Sequence, residues 1–202
     1  MASDGWLAAQ NVNQVWLSAD PNAHNEQVPA QAFFRACVTL STIFDLLTGM
    51  SVAKNAMMDN LKKSAAHFST SDEELTVQQG IGEEAERLGG TAAMADQASL
   101  IHQLTWLLRG VAFVRGIVHE MIDHPEATMT TCVRSGYNSS LKIHHPMAVQ
   151  SMVWLLAKAA PNRAKFEALL GTQGLAEQLS KLVPVVDRVV NSVQGALDVA
   201  TR

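Results

Sequence analysis

The most apolar stretch of the chain runs from Leu104 to Ile122. It places Leu104, Leu107, Leu108, Val111, Val114, Ile117, Val118 and Met121 at spacings of three and four. That period is a helix with a wide buried face, and a helix this apolar belongs near the middle of its domain. It also carries Trp106 and Arg109 one turn apart, with Arg115 and His119 further along. Helical patterns flank it. One runs from about Pro29 to Leu47 and closes at Thr48-Gly49; a second runs from about Val52 to Phe68. Ser71-Asp72-Glu73-Glu74 has the chemistry of an N-cap with acidic residues in the first turn, opening a more polar helix that ends near Gly89-Gly90. The central helix is expected from Ala92 to Asp123, stopping before His124-Pro125. Further helices are predicted from Thr130 to Lys142, from His144-His145-Pro146 to about Ala160, from Arg163 to Leu170, and from Leu175 to Val199. In the last of these Pro184 predicts a kink or a break.

No segment sustains an alternation of period two, and no repeat of about 20 to 50 residues is visible. The pattern therefore predicts an all-α single domain of about seven to nine helices packed in layers. Residues 1–27 show little periodicity and read as an N-terminal arm ahead of a domain over 28–202. Trp6 and Trp16 read as packing that arm onto the domain rather than as membrane anchors.

Composition narrows the function. With 48% hydrophobic residues in 202, a sizeable core can form. A net charge of -4 removes the basic stripe that a nucleic-acid partner needs. Cys37 and Cys132 sit in apolar patterns without metal-ligand spacing, as buried reduced thiols do. No signal peptide is visible, and no run approaches about 18 uncharged apolar residues. The expectation is a cytoplasmic monomer.

Enzymatic signatures are missing: there is no Gly-rich phosphate loop, no G-x-S-x-G and no H-E-x-x-H. No residue is assigned a catalytic role, and neither a cofactor nor a metal is expected. His144 and His145 are adjacent, so on a helix they would point about 100° apart, which is poor geometry for one ion. His119 and Asp123 read as a solvated pair at a helix end. Asp59 with Lys63 reads as an i,i+4 surface pair, and Glu83, Glu84 and Glu86 as a solvated face. Met57, Met58, Met94, Met121, Met147 and Met152 suit an adaptable core or a pocket for flexible chains. One set is harder to dismiss. Asn60 and Lys63 share a helix face, Trp106 and Arg109 share another, and His145 opens the helix after a loop. Brought together, the indole would stack on a sugar ring and the amide and ammonium would reach its hydroxyls. An apolar cavity behind them would hold hydrocarbon chains.

At these residues the chain resembles the glycolipid transfer protein superfamily. KNAMMDNLKK (Lys54 to Lys63) is similar to the family's D-x-x-x-N-x-x-K region. WLLRGVAFV (Trp106 to Val114) is close to its Trp-Leu-x-Arg-Gly-Leu pattern. LKIHHPMAVQSMVWLLAKAAPNRAKF (Leu141 to Phe166) looks like its histidine segment and the Ala-Ala-Pro helix end. The resemblance spans about Ala30 to Val199. It implies a two-layer sandwich of about eight helices, an internal hydrophobic lipid pocket and no catalytic activity. By position it implies that Trp106 carries the headgroup, that Asn60 and Lys63 bond sugar hydroxyls, that His145 donates to the amide carbonyl, and that Arg109 supports the site. The implied ligand is a glycosphingolipid or related sphingolipid, with transient peripheral contact with a membrane and movement of the lipid between membranes. The family's carboxylate position is Ala56 here, and Asp59 is about 100° further round the helix; both mark a possible altered site. The aromatic anchor that often follows the histidine is Met147, a candidate for membrane contact. Members specialised for ceramide-1-phosphate carry a basic residue where this chain has Trp106, which favours a sugar headgroup. The alternatives are a carrier of ceramide-1-phosphate or another sphingolipid, or a lipid sensor that does not transfer.

Overall fold

A computed structural model describes residues 5–68 and 74–202. Among the described residues there are eleven α-helices and no strand. They are α1 (Trp6–Ala9), α2 (Val12–Leu17), α3 (Ala30–Ser41), α4 (Ser51–Ala65), α5 (Val77–Leu88), α6 (Gly90–Ala95), α7 (Leu100–Asp123), α8 (Met129–Ser140), α9 (Met147–Lys158), α10 (Arg163–Leu170) and α11 (Leu175–Ala200). Eight of them have eight residues or more, and they form an all-α two-layer sandwich.

The centre of the sandwich is α7. It packs against α8, α11 and α4, and also meets α3, α5 and α6. All eight apolar residues that define its predicted stripe are buried. Each such side chain contributes about 1.5–3 kcal/mol relative to exposure, so this one helix anchors much of the core. Its contact with α8 is closest at two glycines. A Cβ on Gly136 would lie 2.6 Å from the Phe113 carbonyl oxygen and 2.8 Å from the Ile117 nitrogen, so any side chain there would force the two backbones apart.

The predicted central helix is broken. Instead of one helix from Ala92, α6 stops at Ala95 and α7 starts at Leu100. Polar side chains make the break. Asp96 Oδ1 accepts from the Ala98 N–H, and Ser99 accepts from the His102 N–H while donating to the Ala93 carbonyl. Glu84 then reaches from α5 to accept the Leu100 N–H at 3.0 Å. This corrects the reading of Glu84 as part of a solvated face: it is 6% exposed and holds the first turn of α7, backed by Arg87 at 2.7 Å.

Other boundaries shift for local reasons. The helix expected to run to Leu47 tightens into a 3-10 turn, Thr42–Leu46, where the Thr42 hydroxyl accepts the Trp6 indole N–H at 2.7 Å. α5 begins at Val77 behind a capping box of Thr76 and Gln79; residues 71–73, where the sequence places that cap, lie outside the described residues. α11 runs unbroken through Pro184. The buried Leu182, Val183, Val186, Val189 and Val190 around it keep the helix on the core despite the missing N–H. In the N-terminal region, short helices stand where little periodicity is visible. Trp16 is fully buried, and Asp20 pairs with Arg188 of α11.

Candidate functional site

A cavity of about 280 Å³ lies between the Thr42–Leu46 turn, α4, α7, α8 and α9. Its wall is largely apolar: Phe44, Met57, Phe113, Leu141, Val153 and Leu156 contribute to it, and among the described residues no Asp, Glu, Lys or Arg side chain does. Four residues bring polar atoms to it: Asn60, Trp106, Tyr137 and His145. Helical spacing delivers the first two from neighbouring helices, because α4 crosses α7 here. His145 sits where the Lys142–His144 turn ends, its extended backbone aiming the ring back at α7. Gln150 fixes that turn by donating to the carbonyls of His145 (2.8 Å) and Lys142 (3.1 Å).

Trp106 is the hub. The His145 ring lies nearly parallel to the indole, 5.9 Å between centroids and 14° between planes. The His144 ring meets it edge-on at 6.2 Å, and the Arg109 guanidinium carbon stands 4.7 Å over the ring. The indole is half-buried, so part of it stays open.

Tyr137 organises the histidine. Its oxygen is 3.0 Å from His145 Nδ1. Among the described residues the phenol has no other hydrogen-bond partner, and Tyr137 is 1% exposed. We assign the phenol O–H as the donor to Nδ1, which places the imidazole proton on Nε2. Burial, with the nearby Arg109 charge second, holds the His145 pKa below its ordinary 6.5. The same two causes, with His145 adding a third, lower that of His144. At neutral pH His145 is therefore an uncharged donor.

Of the remaining predicted residues, Asp59, Lys63, Arg109 and Met147 lie outside the cavity wall, whereas Ala56 is part of it. Lys63 pairs with Asp59 at 2.7 Å, both well exposed, and neither lines the cavity. Arg109 lies along a separate groove with Ser140 and His144; burial lowers its pKa. Asn60 Nδ2 donates to the Ala56 carbonyl at 3.0 Å, and Ala56 itself lines the cavity with an exposed side chain. Met147 is 80% exposed. His119 does not pair with Asp123; its Nε2 is 3.2 Å from Asp187, which also faces Arg115 at 3.5 Å. Cys37 and Cys132 are free and buried.

Three features escape the sequence pattern. One is Tyr137, the chain's single tyrosine; its position beside buried Val133 and Gly136 makes it look like core. The second is His144. The third is the exposure of α9. Only Ala157 of that helix is buried, and Met147, Met152, Trp154 and Leu155 face outward next to Ile143, which is 84% exposed. Helix α9 thus roofs the cavity with one face and presents bare apolar side chains with another. The Arg134 guanidinium carbon lies 4.2 Å over the Trp154 ring and ties the roof to α8.

A sandwich of helices thus surrounds an apolar cavity, with a half-open indole and a neutral imidazole at its polar end. Comparison with known proteins identifies the family. The family description "Glycolipid transfer protein (GLTP)" matches residues 28–172. This chain belongs to the glycolipid transfer protein family. It is 27% identical over 175 residues to the human pleckstrin homology domain-containing family A member 8, covering 80% of this chain and 33% of that protein. The chain thus spans about a third of that relative's length. The crystal structure of a fungal glycolipid transfer protein superposes with a TM-score of 0.73 at 25% identity, covering 85% of this chain and 86% of that one. Mouse ceramide-1-phosphate transfer protein in its apo form shares the fold at 15% identity, with a TM-score of 0.81 and 93% of each chain covered. No helix among the described residues is long and apolar enough to cross a membrane.

Proposed function

We propose that this chain is a carrier, not an enzyme, that lifts one glycolipid out of a membrane and shields its chains during transfer. The observation that supports this most is the Trp106–His145 pair at the polar end of an otherwise apolar cavity. The sugar ring lies on the open part of the indole, where C–H groups meet the π face. His145 Nε2–H donates to a carbonyl at the lipid's branch point, and Asn60 serves the sugar hydroxyls. Each methylene that enters the cavity contributes roughly 0.8 kcal/mol, so the chains supply the main driving force. Ile143, Met147 and Leu155 dip into the membrane surface during uptake, which their exposure favours.

A neutral sugar fits better than a phosphate. Lys63 is engaged by Asp59, and Arg109 lies along the other groove, so neither cation lines the cavity. With the family's sphingolipid ligands as the starting point, the first ligand to test is a simple glycosphingolipid. The protein works as a cytoplasmic monomer, with only transient membrane contact.

Vesicle-to-vesicle transfer of labelled galactosylceramide and labelled ceramide-1-phosphate tests the proposal. The expected result is transfer of the sugar lipid, little transfer of the phosphate lipid, and at least a tenfold loss with Trp106→Ala, about 1.4 kcal/mol. Transfer of neither lipid by folded protein sinks the carrier reading. Faster transfer of the phosphate lipid sinks the choice of headgroup.

A further inference from the structure

Helix α7 borders a second concavity, about a third of a turn round from the face it gives the cavity. Trp106, Gly110 and Phe113 face the cavity, whereas Thr105, Arg109 and Ala112 floor a groove of about 360 Å³. The end of α8 and the turn that carries His144 form one bank of this groove. Val190 and Gln194 of α11 form the other. The groove and the cavity share no lining residue.

The charge of Arg109 is unanswered there. Burying a cation is costly unless a carboxylate meets it. Arg115, Arg163 and Arg188, also half-buried, each meet one: Asp187, Glu167 and Asp20. Arg134 rests on Trp154, outside the groove. Among the described residues Arg109 has no ion-pair or hydrogen-bond partner, and no Asp or Glu lines its groove. Burial alone accounts for the fall in its pKa. The other polar groups add donors and no negative charge. His144 is exposed and its ring nitrogens have no hydrogen-bond partner among the described residues. Gln194 donates to Asp198 at 2.7 Å and keeps its second amide proton. The hydroxyls of Ser139 and Ser140 donate to carbonyls of their own helix. A free guanidinium fork beside an imidazole and an amide N–H, with no ionised acceptor, has the chemistry of an anion site, and the fork matches the paired oxygens of a phosphate.

We propose that this groove is a second binding site, which holds a phosphate group on Arg109 with His144 and Gln194 as further donors. Two sources present such a group. One is a soluble phosphate ester. The other is a phospholipid that stays in its membrane, within reach because Ile143 at the lip of the groove is 84% exposed. The site meets the cavity at one ring. The Arg109 guanidinium carbon stands 4.7 Å over the Trp106 indole, and the His144 ring meets that indole edge-on at 6.2 Å. A phosphate in the groove therefore touches both groups that rest on Trp106, although its binding does not depend on the carrier function.

The test titrates inorganic phosphate against the lipid-free protein, with chloride at matched ionic strength as the control. The nitrogen chemical shifts of His144 are followed. The expected result is saturable binding with a midpoint of about 1 mM. The titration of His144 should also move to higher pH, because a bound dianion favours the imidazolium. In the protein alone burial, Arg109 and His145 all hold the His144 pKa down, and neither Val190 nor Gln194 titrates, so an upward shift reports the anion. Arg109→Gln should weaken phosphate at least about tenfold, and Arg109→Lys less, since it keeps the charge without the fork. His144→Gln, expected to weaken it by about fivefold, is the second variant if Arg109→Gln does not fold, as judged by circular dichroism. A response that never saturates, or that chloride reproduces, overturns the site. So does undiminished binding in folded Arg109→Gln. Flotation with phosphatidylcholine vesicles, with and without phosphatidic acid, separates the sources. Co-flotation raised by phosphatidic acid in the natural chain and not in Arg109→Gln assigns the phosphate to a membrane lipid. No rise, or one that Arg109→Gln keeps, assigns it to a soluble ester. Failure of glycolipid transfer leaves the titration untouched, so the two readings fail separately.

Discussion

Tyr137→Phe removes one oxygen and tests how the imidazole is held. The ring that packs edge-on to Phe113, 6.4 Å between centroids, remains. The bond to His145 Nδ1 at 3.0 Å is lost. A neutral hydrogen bond contributes about 1 kcal/mol net, or about fivefold in an equilibrium constant. Two consequences follow. The Nε2–H form of the imidazole loses its support, so glycolipid affinity should fall by about fivefold in a tryptophan-fluorescence titration. Protonation of His145 should also become easier, because the phenol donor stabilises only the neutral ring. Nitrogen chemical shifts of the imidazole report both the tautomer and its titration. The reasoning is refuted if the natural protein carries the proton on Nδ1. It is equally refuted if the variant binds lipid as tightly as before with an unmoved titration.

Glu84→Gln should cost about 1.5–3 kcal/mol in urea unfolding, because it weakens charge-assisted bonds from Arg87 and the Leu100 amide. Burial works against ionisation of Glu84, but those bonds outweigh it and hold its pKa below 4.5. Its contribution is therefore complete above pH 4.5 and lost as pH falls through the lowered value, so the variant should show a flatter acid limb. Gly136→Ala should destabilise by about 1–3 kcal/mol through clashes with the α7 backbone, read as a lower thermal midpoint; an unchanged midpoint contradicts the close helix approach. Lipid binding should be flat above pH 6.5 and weaken as pH falls through the depressed His145 pKa, since protonation turns Nδ1 into a donor. A binding curve that strengthens in acid would contradict a neutral imidazole at the site.

The buried face of α7 was legible in the sequence because its spacing is set by core packing, and all eight stripe residues are buried. The start of α7 was not, because beside the Ser99 cap its first N–H is held by Glu84, sixteen residues upstream on another helix. A run of acidic residues looks solvated until a partner chain segment covers one of them. Helices α1 and α2 are four and six residues long, too short for a period to register. At the candidate site, helical spacing put forward Asn60, Lys63, Trp106, Arg109 and His145 as a set, and three of them, Asn60, Trp106 and His145, line one cavity. It could not tell that Lys63 turns to Asp59 or that the Arg109 guanidinium folds over the indole. Side-chain direction decides both, and helical spacing fixes only where a side chain begins. Tyr137 was hidden by type: an aromatic on a buried helix face reads as core until its oxygen is seen to meet His145.

The central claim is that Trp106 holds a sugar above an apolar cavity. It is tested most directly by incubating the protein with vesicles that carry galactosylceramide, ceramide-1-phosphate and phosphatidylcholine in equal parts, then weighing the re-isolated complex by native mass spectrometry. The predicted result is one galactosylceramide per chain, lost in Trp106→Ala. A chain that emerges empty, or loaded with either phosphate lipid, contradicts the account.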